Sequence, residues 1–301
     1  MKAFSNRPQQ LDLAYRFLIN GLTAFLVAIF IFFGIYYPFR WIFAAAASAI
    51  AAVALWEYGQ LVKKKELHPA IALGIVAMIL YIFAIFVKTQ DFFSLWEPFW
   101  HQLPEIILGL TFLSCFIYFF IVGKSPITNI STTFFGIIYI GIPLGTIIRI
   151  LYLFTFLGME VNPYMGTWWI IYLFLVTKSG DVGGYFFGRY LGKRKLAVNL
   201  SPNKTLEGSL GALLASTVVS LLLCVLARTV FEKFTYIQSL WLGILIGVLG
   251  QVGDLAESFL KRDANVKDSN TIPGVGGILD MVDSLLFTAP VVYIFLRILY
   301  T

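Results

Sequence analysis

The residues best suited to chemistry in this 301-residue chain lie between Gly253 and Ser284. Asp254, Glu257, Ser258 and Lys261 recur at helical spacing, so all four share one helix face. They follow the apolar run Leu240–Val252 directly. A carboxylate there costs about 2.5–3.5 kcal/mol at mid-span and less near the interface, so each needs a cation or a basic partner. A glycine-rich turn, Pro273-Gly-Val-Gly276-Gly277, then precedes Asp280, Asp283 and Ser284, which again share a helix face. Such a turn can aim backbone N–H groups at phosphate oxygens where a helix begins. Asp254, Asp280 and Asp283 together offer an all-oxygen ligand set for a hard cation, Mg2+ first among them.

Two earlier blocks join this one. Asp181, Tyr185 and Arg189 are spaced by four and lie on one helix face, among Gly180, Gly183, Gly184 and Gly188. Small residues of this kind let membrane helices approach closely. An ionisable residue at span depth is usually functional; a structural Asp–Arg pair closing the helix end is the plainer alternative. In Leu200–Gly211, Pro202 and Asn203 mark a turn, and Thr205 or Ser201 can cap the next helix. Lys204 beside hydroxyls suits a phosphate, although a basic loop flank has the same composition. There is no Cys/His cluster for zinc, no Ser-His-Asp set, no Walker loop and no dinucleotide fingerprint. His68 and His101 stand alone and read as loop residues. Acids for a metal, with Lys and Arg for phosphates, point to phosphoryl or nucleotidyl transfer.

The elements that hold these residues are membrane spans. The chain is 59% hydrophobic and 13% charged, where a soluble domain carries about 25% charge. Its mean hydropathy is +0.84. The expected fold is all-α and polytopic, with about nine transmembrane helices near 17–37, 41–61, 70–87, 105–122, 133–153, 166–185, 209–227, 239–254 and 282–299. The segment from Phe92 to His101 reads as interfacial. Lysine-rich loops (Lys63–Lys65, Lys193–Lys195, Lys261 to Lys267) fall on every second connection. The positive-inside rule then puts them, the N-terminus and the chemistry in the cytosol. The net charge of +6 thus reads as topology and implies no nucleic-acid partner. Polarity divides the chain into an N-terminal scaffold, 1–165, and a catalytic region, 166–301. Cys115 and Cys224 lie in apolar runs and read as buried small hydrophobes. No targeting segment stands out, which favours a bacterial cytoplasmic (inner) membrane. A transporter would place its charges at mid-bilayer, often in repeated halves; here they crowd the cytosolic ends of the later spans.

Ser258-Phe-Leu-Lys261-Arg262-x4-Lys267-Asp268, followed by Pro273-Gly-x-Gly276-Gly277-x-x-Asp280-x-x-Asp283-Ser284, resembles the signature of the phosphatidate cytidylyltransferases, or CDP-diacylglycerol synthases. Ser201-Pro-x-Lys204-Thr-x-Glu207-Gly and the stretch Asp181–Gly192 are similar to that family too, so the likeness covers about residues 178–290. The family pattern has His where Val275 stands and Arg where Met281 stands. The resemblance implies that CTP and phosphatidic acid give CDP-diacylglycerol and pyrophosphate. It implies an Mg2+-dependent centre on Asp254, Asp280 and Asp283 with Ser258 nearby. Lys204, Lys261, Arg262 and Lys267 would hold phosphates, within a substrate site that includes Asp181, Arg189, Glu207, Asp268, Gly276, Gly277 and Ser284. It further implies a homodimer and a second, monovalent ion. A CTP-dependent polyprenol or phytol kinase is the alternative from neighbouring chemistry, and would release CDP instead of pyrophosphate.

Overall fold

The computed structural model describes residues 40–89, 97–123, 125–158, 164–197, 200–266 and 277–300. The expected first span, together with Lys267, Asp268 and Gly276, lies outside the described residues. The chain runs through α1 (Arg40–Lys63), α2 (Ile71–Thr89), α3 (Glu97–Val122) and α4 (Pro126–Gly136). A π-helical turn, Ile137–Gly141, joins α4 to α5 (Ile142–Leu151), and the short α6 (Leu153–Phe156) follows. Then come α7 (Met165–Tyr190), strands β1 (Lys195–Ala197) and β2 (Ser201–Thr205), α8 (Leu206–Leu226), α9 (Tyr236–Asp263) and α10 (Ile278–Tyr300).

Among the described residues, seven helical segments are long and apolar enough to cross a membrane, with α4, the π turn and α5 acting as one. Helix α7 is charged over its second half, but its 26 residues span about 39 Å at 1.5 Å per residue. The protein is an all-α polytopic membrane protein. Eight of the expected spans coincide with these helices. The π turn has a local cause: Pro143 lacks the N–H that would bond the carbonyl of Tyr139.

Three local expectations change. Pro202 and Asn203 lie in β2, which pairs antiparallel with β1 (Lys195 opposite Thr205), so the turn falls before them. The part of the interfacial segment that is described, from Glu97 to His101, is the first turn of α3. His101 is therefore helical, its ring 5.8 Å from that of Phe156.

Membrane helices invert the soluble pattern, and α8 shows how. Leu210, Leu214, Val218, Leu222 and Val225 point outward at helical spacing. Gly208, Gly211, Ala212, Ser216 and Ser220 face inward. The small inner face lets α7 approach: a Cβ on Gly183 would stand 2.7 Å from the carbonyl oxygen of Gly211. At the end of the bundle away from the lysine-rich loops, Trp169, Tyr172, Phe231 and Phe234 form a buried aromatic knot, with Trp169 and Phe231 rings 4.7 Å apart. One hydrophobic core runs through both halves of the chain, from Phe43 to Tyr300. Cys224 is free and buried in it, and Cys115 is free and buried in a smaller cluster with Ala70, Phe119 and Ile130.

Candidate active site

The C-terminal ends of α1, α7 and α9 meet the N-terminal ends of α8 and α10 at the lysine-rich end of the bundle. Three charged groups result.

Ser284 organises the first. Its hydroxyl lies 3.0 Å from Asp283 Oδ1 and 3.2 Å from Asp181 Oδ2. One hydroxyl proton cannot serve both carboxylates at once. The Ser284 backbone N–H also donates to Asp283 Oδ1, at 2.5 Å. Lys178 supplies the opposing charge, donating to Asp181 Oδ2 at 2.9 Å and to the carbonyl of Met281 at 3.3 Å. Asp283 is buried, whereas Asp181 opens to the surface. Asp254 is the other carboxylate whose charge reaches Asp283.

Lys204 and Asp254 form the second group, with Nζ and Oδ2 2.7 Å apart. The hairpin that carries Lys204 is pinned from three directions. Thr205 caps α8 by accepting from the Gly208 N–H at 3.1 Å. Glu207 Oε2 accepts from the N–H groups of Lys193 and Arg194 at 3.0 and 3.2 Å. Arg262 Nε donates to the Leu200 carbonyl at 3.1 Å, tying the hairpin to α9.

The third group is a strut between α9 and α10. Lys261 Nζ lies 2.6 Å from Glu257 Oε1 and also pairs with Asp280 Oδ1. Glu257 and Lys261 are both buried. Taking one member from such a group is costly, because it strands a buried charge. Ser258 lies half-buried beside them.

Asp181, Tyr185 and Arg189 share a face as expected, but Arg189 bonds Tyr185, Nη1 to OH at 2.7 Å, while Asp181 turns to Lys178 and Ser284. The helix start that was expected to offer amides to phosphate has them engaged. Ile278 and Leu279 N–H donate to Glu57 Oε1 and Oε2 at 2.9 and 2.8 Å, and Gly277 N–H donates to Asp280 Oδ2 at 3.4 Å. Lys178 and Glu57 were therefore missed as members of the site. Glu57 is the single charged residue between Arg40 and Lys63, and an acid alone in a span is the signal that could have found it. Lys178 is the first charge in α7.

Asp254, Asp280 and Asp283 do not converge as one cage: no three His, Cys, Asp or Glu side chains among the described residues do. Asp280 belongs to the strut, while Asp283 and Asp181 share the Ser284 hydroxyl and Asp254 pairs with Lys204. Mg2+ does not require a cage. It takes one or two carboxylates and completes its octahedron with waters and substrate phosphates. Paired carboxylates without nearby thiol or imidazole fit that ion in donor chemistry.

Fold and site together define an integral membrane protein with a carboxylate–lysine centre at one end of its helices. Residues 19–299 match the family model described as the cytidylyltransferase family, and the chain belongs to it. A phosphatidate cytidylyltransferase of Chlamydia pneumoniae is 30% identical over 296 residues, covering 95% of this chain and 92% of that one. Its counterpart in Chlamydia trachomatis serovar D is 32% identical over 300 residues, covering 96% and 94%. That of Bacillus subtilis strain 168 is 32% identical over 284 residues, covering 93% and 97%.

Proposed function

We propose that this protein is a phosphatidate cytidylyltransferase, converting CTP and phosphatidic acid to CDP-diacylglycerol and pyrophosphate. The observation that carries the reading is the pairing of Asp181 and Asp283 across one serine hydroxyl, flanked by Lys178 and by Lys204–Asp254, at the ends of membrane-spanning helices. A nucleotide can reach such a site from water while a phospholipid reaches it from the bilayer. The named relatives support the same substrates.

A phosphatidate oxygen attacks the α-phosphorus of CTP. The new P–O bond forms as the bond to pyrophosphate breaks. The nucleophile is already ionised, so no strong general base is required, which accounts for a site without histidine. Asp283 and Asp254, with Asp181 beside them, would hold Mg2+; when bound, the ion neutralises charge building on the phosphates. Each lysine now faces a carboxylate. When phosphates enter, Lys178 and Lys204 turn from Asp181 and Asp254 toward the phosphate oxygens, releasing the acids without leaving a bare buried charge. Arg262 would add positive field beside the Lys204 hairpin, and the family likeness assigns Lys267, Asp268, Arg189 and Gly276 to the same substrate site. The Lys261 strut keeps Asp280 and Glu257 in register beneath. The reading includes a homodimer, a second monovalent ion, and a cytosolic site in a bacterial inner membrane.

The test is the purified protein with labelled CTP, phosphatidate and Mg2+. CDP-lipid and pyrophosphate are expected in equal amounts. Phosphorylated lipid with CDP would establish the lipid kinase instead. Asp283→Ala is expected to lose activity by about 10²-fold or more, and full activity in that variant would sink the mechanism. Labelling of a cysteine placed at Lys193–Lys195 from outside intact cells would reverse the orientation.

A further inference from the structure

Helix α10 carries Asp280 and Asp283 within its first turns, yet its own sequence caps it poorly. Gly277, just before Ile278, has no side chain to accept from the first amides. The acceptor comes from far away. Glu57 takes the N–H groups of Ile278 and Leu279, 221 and 222 positions along the chain, one on each carboxylate oxygen. Glu57 is 1% exposed. A carboxylate at this position is favoured both by two charge-assisted hydrogen bonds and by the positive end of the helix dipole.

Glu57 is itself held firmly. The hydroxyl of its neighbour Tyr58 donates to the Thr132 carbonyl at 3.1 Å. A Cβ on Gly136 would lie 2.6 Å from the Tyr58 ring, so α4 sits flush on α1 here. The carboxylate is therefore a fixed point of the bundle. Asp280 reaches back to Gly277 N–H from the turn that Glu57 anchors, and Asp283 is one turn further.

We propose that Glu57 is a positioning residue of the transferase site. It serves as an N-cap delivered by a distant helix, and fixes the rotation and depth of α10. It thereby sets how far Asp283 stands from Asp181 and Asp254. It touches no substrate in this role, and it keeps these two amides from binding phosphate. The proposal rests on the transferase reading of the site for its catalytic consequence only.

Two variants test it. Glu57→Gln keeps the shape but turns an NH2 group toward an amide N–H, which removes one bond and the charge. Glu57→Asp keeps the charge and shortens the reach. For each, the measurements are thermal unfolding in detergent, kcat and KM for CTP, the Mg2+ concentration giving half the maximal rate, and amide exchange across 277–285. Glu57→Gln is expected to lower kcat about tenfold or more per folded protein. It should raise the Mg2+ requirement, leave KM for CTP within about twofold, and speed exchange at Ile278 and Leu279 with peptides from α8 unchanged. Glu57→Asp should recover part of kcat, and is read by the same measures if Glu57→Gln does not fold. Wild-type kcat per folded protein would overturn the proposal. So would a fall in KM for CTP, which would make Glu57 the blocker of an anion site, and so would unchanged exchange at the helix start. If the wild type makes no CDP-lipid, the transferase reading fails, while the exchange comparison still decides whether Glu57 holds α10.

Discussion

Gly253→Ala puts one methyl group between the two helices that carry Asp254 and Asp283. Its Cβ would overlap the Asp283 carbonyl oxygen by about 1 Å relative to the 3.4 Å at which ordinary contact begins. It would also lie 3.1 Å from both the Asp283 carbonyl carbon and Phe287 Cδ2. The Phe287 ring can swing aside, but the backbone carbonyl cannot. Helices α9 and α10 must therefore part by up to about 1 Å at the crossing next to Asp254 and Asp283. Overpacking of this kind costs about 1–3 kcal/mol, and the change from glycine to alanine within a helix returns about 1 kcal/mol. The net loss of about 0–2 kcal/mol leaves a folded protein. A misplacement of about 1 Å at reacting groups can cost 10²-fold in rate, so activity should fall far more than stability. The assay is the initial rate of CDP-lipid formation by protein matched for folded fraction. Gly109→Ala is the control, since a Cβ there meets nothing within 4 Å; it should gain up to about 1 kcal/mol and keep its rate. A Gly253→Ala protein within about twofold of wild type in kcat would refute the claim that catalysis depends on this close crossing.

Lys261→Met should cost about 3 kcal/mol, because it leaves the buried Glu257 and the half-buried Asp280 without their cation; thermal unfolding reads it, and adding Glu257→Gln should recover part. No recovery would mean that Lys261 contributes packing alone. Thr205→Ala removes the cap of α8 and should lower stability by about 1 kcal/mol, with Ser at that position restoring it. Lys65 and Asp263 form an ion pair with side chains 41% and 54% exposed; Lys65→Ala should cost less than about 1 kcal/mol and shift the melting temperature little.

Hydropathy made eight of the helices legible, because a bilayer sets a minimum apolar length that composition reveals directly, although polar helix ends such as Glu97–Pro104 and Leu255–Asp263 run well beyond the apolar stretch. Helical spacing also placed Asp254, Glu257 and Lys261 on one face, and in the structure Glu257 and Lys261 pair. Spacing says nothing, however, about which neighbouring helix supplies a partner. Lys261 was read as a phosphate ligand, yet α10 brings Asp280 to it and makes it a strut. Spacing aligns Arg189 with Asp181, but Lys178, one turn earlier on the same helix, and Ser284 on α10 hold Asp181 instead. Glu57 stands out as an acid alone in a span, but the two backbone amides it accepts from lie more than two hundred residues away, and amides carry no sequence signal. The hairpin was missed because Pro202 and Asn203 advertise turns, while a two-stranded ribbon of this length leaves almost no alternation to read. The division at residue 165 followed polarity, and Glu57 shows the scaffold reaching into the working end.

The π-helical turn at Ile137–Gly141 makes the length of that span unusually exacting. Before it, Gly136 receives the Tyr58 ring of α1; beyond it, Gly145 lies 3.3 Å, measured from a Cβ, from the Tyr81 ring of α2. A turn with one residue too many rotates everything after it by about 100°. Loss of a single codon in those five positions would restore a regular helix and turn Gly145 away from its hollow, pressing larger side chains against α2. Descendants of this gene should therefore tolerate changes of residue type within the joint more readily than changes in its number of residues.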